Sequence, residues 1–209
     1  MDGTLVDSTA VVERCWQHWA WRYRIPLEEV LKFSHGRPTL ATMEHFRPGR
    51  DHTADAAEML HTELTDMEDV VAVAGANAAV LACHKGAWAV VTSAPRELAE
   101  VRLKAAGLPI PDVLVSVEQI ERGKPDPEGF LRAAELLGVA PEDCLVFEDT
   151  GPGIEAGRRA GMHVVGVLTT VPREQLGCEW VIRDFGDVRF NANARGFEVQ
   201  LITAAADAE

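Results

Sequence analysis

The sequence predicts an α/β protein: a Rossmann-like parallel sheet with flanking helices, interrupted near its start by an all-helical insert. Three observations carry this. From Gly75 onward, short β-branched runs alternate with helical segments, the order expected of a parallel sheet covered by helices. Before Gly75, from about residue 10 to 70, apolar residues recur only at helical spacing. Finally, four groups of reactive polar side chains fall where predicted strands end, the edge at which open parallel sheets hold ligands. The expected organisation is a core of residues 1–9 and 74–209 with a helical segment of residues 10–73 between.

In chain order, Val11, Val12, Cys15, Trp16, Trp19, Ala20 and Tyr23 define one amphipathic helix. Pro26 opens a second short helix through Leu27, Val30 and Leu31, which Gly36 ends, and Thr39 caps a third carrying Leu40, Met43 and Phe46. A fourth, from Ala56 to Met67, sets Met59, Leu60, Leu64 and Met67 on one face. Of Trp16, Trp19 and Trp21, two lie on the apolar face of their helix, so the cluster reads as packing rather than as a stacking platform for a ring. Then Ala87–Val91 reads as a buried strand ending at Thr92-Ser93, Pro95 starts a helix that stops at Gly107, and Val113–Val117 is the next strand. Pro127–Leu137 is a helix closed by Gly138, and Cys144–Phe147 is a strand running into Glu148-Asp149. Gly151–Ala160 is a helix, His163–Val167 a strand, and Trp180–Ile182 a last parallel strand. Val188/Phe190 and Phe197/Val199/Leu201 alternate across Arg195-Gly196 as a terminal hairpin, with Thr203 to Glu209 frayed.

The chain has 209 residues, 47% hydrophobic and 25% charged, enough for a good-sized core. Its 33 acidic and 20 basic residues give a net charge of −13, which opposes binding to nucleic acid or an anionic membrane and leaves room for a small anion at a local positive site. Cys15, Cys83, Cys144 and Cys178 are far apart, form no zinc-ligand spacing, and read as buried thiols of a reducing compartment. No basic segment followed by an apolar run opens the chain and no apolar run approaches the ~20 residues of a membrane span, so cytoplasmic residence is expected by elimination; a monomer is also expected.

Each strand end has a chemical reading. Asp149 with Glu148 beside it offers hard oxygen ligands of the kind Mg²⁺ takes; the alternative is that the pair only caps the following helix. Lys124, between Gly123 and Pro125, is an ammonium in a loop stiffened on one side, suited to a phosphate, where the plain alternative is a solvated surface lysine. Thr92 and Ser93 can donate to phosphate oxygens or merely close a turn. Asp2-Gly3-Thr4 is an acidic turn that an Asx turn alone would also explain. His35-Gly36-Arg37 is a flexed loop able to meet a polar anionic ligand, or a helix end with basic residues against the dipole. His18, His45, His52 and His61 read as polar-face residues without a role.

Taken together, Asp2-Gly3-Thr4, Thr92-Ser93, Lys124 and Glu148-Asp149 resemble, in order and along essentially the whole chain, the four motifs of the haloacid dehalogenase superfamily, in its branch of sugar phosphatases and β-phosphoglucomutases with a helical cap. That resemblance implies a Mg²⁺-dependent phosphatase acting on a small phosphorylated metabolite, with a sugar phosphate as the expected substrate, through an aspartyl-phosphate. It implies Asp2 as general acid and base and, through its carbonyl, a metal ligand with Asp149 and Glu148; Thr92 and Lys124 as catalytic phosphate contacts, Thr92 preferred over Ser93; and Thr4, Ser93, His35 and Arg37 as substrate contacts. The family's motif is Asp-x-Asp-Gly-Thr and Met1 occupies the x, so the nucleophilic aspartate and the first strand are expected just ahead of Met1. Two other readings accompany it. One is a β-phosphoglucomutase-like transferase, which the resemblance weakens because Val12 stands where those mutases place a histidine. The other is a protein that binds a phosphorylated ligand without turning it over.

Overall fold

The protein was analysed as a computed structural model, which describes residues 1–83, 86–193 and 196–202. A short strand β1 (Val6–Asp7) leads into four helices, α1 (Thr9–Tyr23), α2 (Leu27–Ser34), α3 (Thr39–Phe46) and α4 (Thr53–Thr65), and the chain returns through β2 (Val71–Ala72). There follow α5 (Ala76–Ala82), β3 (Ala89–Val91), α6 (Arg96–Ala105), β4 (Val113–Val115), α7 (Glu128–Leu137), β5 (Leu145–Glu148), α8 (Gly151–Arg159), β6 (His163–Val167), α9 (Arg173–Leu176) and β7 (Trp180–Ile182). The chain closes on β8 (Val188–Asn193) and β9 (Gly196–Leu201). Among the described residues no helix is long and apolar enough to cross a membrane.

Local chemistry accounts for the boundaries. Five helices, α2, α3, α6, α7 and α9, begin directly after a proline, whose fixed φ presets the first turn and whose missing N–H costs nothing there. α1 buries Val11, Cys15, Trp16, Trp19 and Ala20 of the predicted stripe, with Val12 and Tyr23 half-buried at its edges, and leaves Trp21 79% exposed. Trp16 and Trp19 meet edge-to-face at 5.5 Å between ring centres, as do Trp19 and Tyr23 at 5.3 Å, a geometry the ring quadrupoles favour.

β3 pairs parallel with β4, and β5, β6 and β7 pair parallel in that order. The expected α/β architecture is present, but its parallel strands form two hydrogen-bonded sets rather than one ladder among the described residues. Side chains join the sets: Val91 of β3 packs into the cluster of Val146 and Phe130, and Phe147 of β5 into the cluster of Val90 and Phe185. β1 and β2 pair antiparallel, Val6 with Ala72 and Asp7 with Val71, a pairing too short to show as a sequence pattern. The terminal hairpin is formed with Phe190 opposite Val199 and Val188 opposite Leu201. Arg195 and the stretch 203–209 lie outside the described residues.

Two expectations are corrected. Only Cys15 of the four cysteines is buried, its thiol pushed up to about 11 by that burial; Cys83, Cys144 and Cys178 are half-buried because they sit in the connections after α5, before β5 and after α9. His52 is not on a polar face: it is buried just ahead of α4, its Nε2 3.0 Å from the Arg47 carbonyl oxygen.

Candidate active site

The N-terminal turn is closed by main-chain bonds from Gly3 N to Val6 O and from Leu5 N to Met1 O, both 2.8 Å. Gly3 sits at φ 70°, and a Cβ there would overlap the Asp149 carboxylate, so the turn can approach that acid only as glycine. The Thr4 hydroxyl donates to Asp149 Oδ1 at 2.7 Å, and that of Thr170 to Oδ2 at 2.5 Å. Asp2 points elsewhere: its Oδ1 accepts from the Ser8 hydroxyl at 2.8 Å and lies 3.0 Å from Nη1 of Arg102.

β5 delivers Glu148 and Asp149 to the start of α8, where the Thr150 hydroxyl accepts from Gly153 N and caps the helix. A Cβ at Gly153 would overlap the Glu148 carboxylate, so that glycine makes the room in which the acid sits. Glu148 is spent within the protein. It is ion-paired with Lys124 and accepts from Asp149 N at 3.1 Å, Thr150 N at 3.3 Å and the Thr150 hydroxyl at 3.2 Å. Burial works to raise its pKa, but the Lys124 ammonium, the Met1 amino group and the hydrogen bonds outweigh it and hold the carboxyl below its ordinary range. Asp149 goes the other way, pushed up to about 6 by burial first and by the neighbouring charge of Glu148 second. The opposite directions follow from position: one acid has the lysine, the other has a neighbouring anion.

Thr92 is buried at the end of β3, and its hydroxyl accepts from Ala94 N at 3.1 Å. The Ser93 hydroxyl donates to Gly36 O at 3.1 Å, tying the β3 end to the loop between α2 and α3. In that loop the Arg37 guanidinium donates to Phe33 O at 2.7 Å and lies 4.3 Å over the Phe33 ring. His35 is half-buried beside it.

Eight of the nine side chains singled out in the sequence, Asp2, His35, Arg37, Thr92, Ser93, Lys124, Glu148 and Asp149, line one cavity of about 380 Å³, whereas Thr4, expected as a substrate contact, is buried outside that lining with its hydroxyl on Asp149. α1 and α4 form its opposite wall through Val12, Trp16, Ala57 and Leu60. Sequence reasoning missed Ser8, Thr150, Thr170 and, above all, Arg102 with Glu63. Arg102 is 2% exposed and bridges Asp2 and Glu63, whose Oε1 lies 2.8 Å from Nη2. A signal was present: Arg102 falls four residues after Leu98 and Glu63 four after Met59, each a charge on the buried stripe of its helix.

The donor set suits a hard divalent cation. Among the described residues no group of three or more His, Cys, Asp or Glu side chains stands ready to hold a metal. The oxygens at hand are the buried carboxylate of Asp149 and main-chain carbonyls of the N-terminal turn, while Glu148, expected as a further ligand, is taken up by Lys124. Mg²⁺ is commonly held by one or two carboxylates with water and substrate phosphate completing its shell, and this set fits that pattern.

Burial lowers the pKa of His35, opposed weakly by Glu13. The unfolded chain therefore takes up this proton more readily than the folded one, so stability falls as pH drops through about 6.5, down to the folded value. Between pH 7 and 5 the melting temperature is expected to fall more steeply for the native chain than for His35→Gln. Parallel slopes in a thermal melt series would show that His35 titrates as it does in solvent.

An acidic, hydroxyl-lined pocket at the carboxyl ends of parallel strands, roofed by helices, is the site of an α/β enzyme. The chain belongs to the haloacid dehalogenase-like hydrolases, whose family model matches residues 1–161. It is 44% identical over 172 residues to hexitol phosphatase A of Escherichia coli (strain K12), covering 80% of each chain. It is 36% identical over 199 residues to validoxylamine A 7'-phosphate phosphatase of Streptomyces hygroscopicus subsp. limoneus, covering 91% of this chain and 93% of that one. Among solved structures it superimposes on a hydrolase from Pseudomonas syringae with a TM-score of 0.76 and 25% identity, over 89% of this chain and 92% of the other.

Proposed function

We propose that this chain, a phosphoric monoester hydrolase by its family and relatives, removes phosphate from a phosphorylated sugar or polyol with the help of Mg²⁺, through an aspartyl-phosphate. The observation that carries this is the convergence of Asp2, Thr92, Lys124 and Asp149, from four separate stretches of chain, on one cavity. The similarity to phosphatases of a hexitol phosphate and of validoxylamine A 7'-phosphate supports a polyhydroxylated leaving group.

Phosphoryl transfer asks mainly for charge neutralisation and in-line positioning. Lys124 and the hydroxyls of Thr92 and Ser93 bind the phosphoryl oxygens in this reading. Asp149, with the Asp2 carbonyl, holds a divalent cation, which when bound adds the positive charge that a single lysine among carboxylates cannot supply. The nucleophile is an aspartate directly ahead of position 1. This is supported by the Met1 amino group, which is buried near Lys124, Asp2, Glu148 and Asp149, so that a residue joined there enters the site. Its carboxylate forms the new bond to phosphorus while the bond to the leaving oxygen breaks, and Asp2 gives that oxygen a proton. Asp2 then takes a proton from water, whose oxygen attacks phosphorus and frees the aspartate. Residues 10–73 act as the cap over the site.

Phosphate release from a panel of sugar and polyol phosphates tests this, using the chain as given and the chain preceded by an apolar strand ending in aspartate. Turnover is expected in the longer form, abolished by EDTA and restored by Mg²⁺. Absence of turnover in that form with Mg²⁺ present overturns the proposal.

A further inference from the structure

Resting on the phosphatase reading, we propose that Glu13 makes the enzyme select phosphate monoesters whose leaving group is an uncharged polyol and reject those carrying a second phosphate. The cavity has two ends. At the strand end stand Lys124, the hydroxyls of Thr92 and Ser93, and the acids of the N-terminal turn and β5. Across from it are α1 and α4, with the loop between α2 and α3 reaching over to the end of β3, and between these walls the leaving group of a bound ester has to lie.

Every lysine and arginine lining the cavity is already engaged. Arg37 is held by the Phe33 carbonyl and lies over the Phe33 ring. Arg102 is shared between Asp2 and Glu63. Lys124, at the strand end, is paired with Glu148. A second phosphate would have to break one of these contacts to find a partner.

Glu13 is in the opposite situation. It projects from α1 to line the cavity, is exposed, and has no hydrogen bond or ion pair among the described residues. A free carboxylate accepts hydrogen bonds from hydroxyl groups and repels a phosphate. Beside it His35 offers one donor and one acceptor when neutral, again matched to hydroxyls. Val12, Trp16, Ala57 and Leu60 supply an apolar wall for the carbon chain. Hydroxyl acceptors over an apolar wall, with no uncommitted cation, describe a subsite for a neutral polyol.

The test uses the chain preceded by an apolar strand ending in aspartate and compares kcat/KM for a hexitol monophosphate and a hexose bisphosphate, each normalised to p-nitrophenyl phosphate in the same variant. The native enzyme is expected to prefer the monophosphate by about tenfold or more at low ionic strength. The preference should shrink near 0.5 M salt, as an exposed charge is screened (order of magnitude). Glu13→Gln should relax it and Glu13→Lys should move the ratio about tenfold or more toward the bisphosphate; the position is exposed, so both variants fold. A ratio unmoved by Glu13→Lys overturns the inference. Cleavage of p-nitrophenyl phosphate without any preference for the monophosphate overturns it while leaving the phosphatase reading standing. Failure to cleave any of the three esters overturns the phosphatase reading and this inference with it.

Discussion

Asp2→Asn is expected to lower kcat by about 10² to 10⁴-fold on a sugar or polyol phosphate, the range over which a positioned proton donor and acceptor contributes. The amide keeps the size of the carboxyl and can still meet the Ser8 hydroxyl, so the turn and Gly3's contact with Asp149 persist. What is lost is the proton that the leaving oxygen needs and the base that later takes one from water. The loss should depend on the leaving group. An aryl phosphate, whose phenolate departs without a proton, should be cleaved with a smaller deficit than an alkyl phosphate. KM should change little, because Asp2 is held by Ser8 and Arg102 and is not among the groups that bind the phosphoryl oxygens in this reading. Equal deficits in kcat/KM for aryl and alkyl esters would remove Asp2 from protonating the leaving oxygen.

Arg102→Met should cost about 3–5 kcal/mol of folding stability, the expected loss when one partner of a buried ion pair is removed and the other stays. Methionine keeps much of the apolar stem, so the loss is chiefly electrostatic. Glu63 is the group left stranded. Burial already raises its pKa despite Arg102 at 2.8 Å, since it has one cation for partner and feels Asp2 as a like charge. Arg102 is held more firmly charged than usual: burial opposes this, but Asp2 and Glu63 together outweigh it. The two shifts are therefore consistent, with one cation serving two anions. A double change, Arg102→Met with Glu63→Leu, should be less destabilising than the single change at Arg102, because no buried charge is stranded on α4. Urea unfolding of the three variants measures this. If the double variant loses at least the sum of the two single losses, the pair is not coupled.

The parts of the molecule that the sequence revealed are those with a repeating or local signal. α1 shows its stripe because Val11, Cys15, Trp16 and Trp19 return every three or four residues to the same face. β5 and β6 are legible because Val146, Val164, Val165 and Val167 form short β-branched runs ahead of glycine or acidic residues. The site residues on strand ends follow from the same punctuation. What stayed hidden has no periodicity. β1 and β2 are two residues each, and α5 is an alanine-rich stretch whose buried face is made by Ala76, Ala79 and Val80, too small to separate from a linker. The division of the parallel strands into two ladders depends on which main-chain groups meet, and side-chain pattern does not report that. The engagement of Glu148 by Lys124 and of Arg37 by Phe33 joins positions whose pairing the spacing alone does not encode.

The antiparallel pairing of β1 with β2 has an evolutionary consequence. Val6 lies opposite Ala72, and Val73 N donates to Leu5 O at 3.0 Å, so the chain leaves for the helices and comes back through the same narrow gate. A segment whose two ends are already side by side can be exchanged for one of different length or shape with little strain on what it leaves behind, as in successful domain insertions. The gate therefore separates two rates of change. The strand ends proposed to handle phosphate can stay fixed while everything threaded between Asp7 and Val71 is traded, giving a lineage a modular way to acquire new substrates without rebuilding its chemistry.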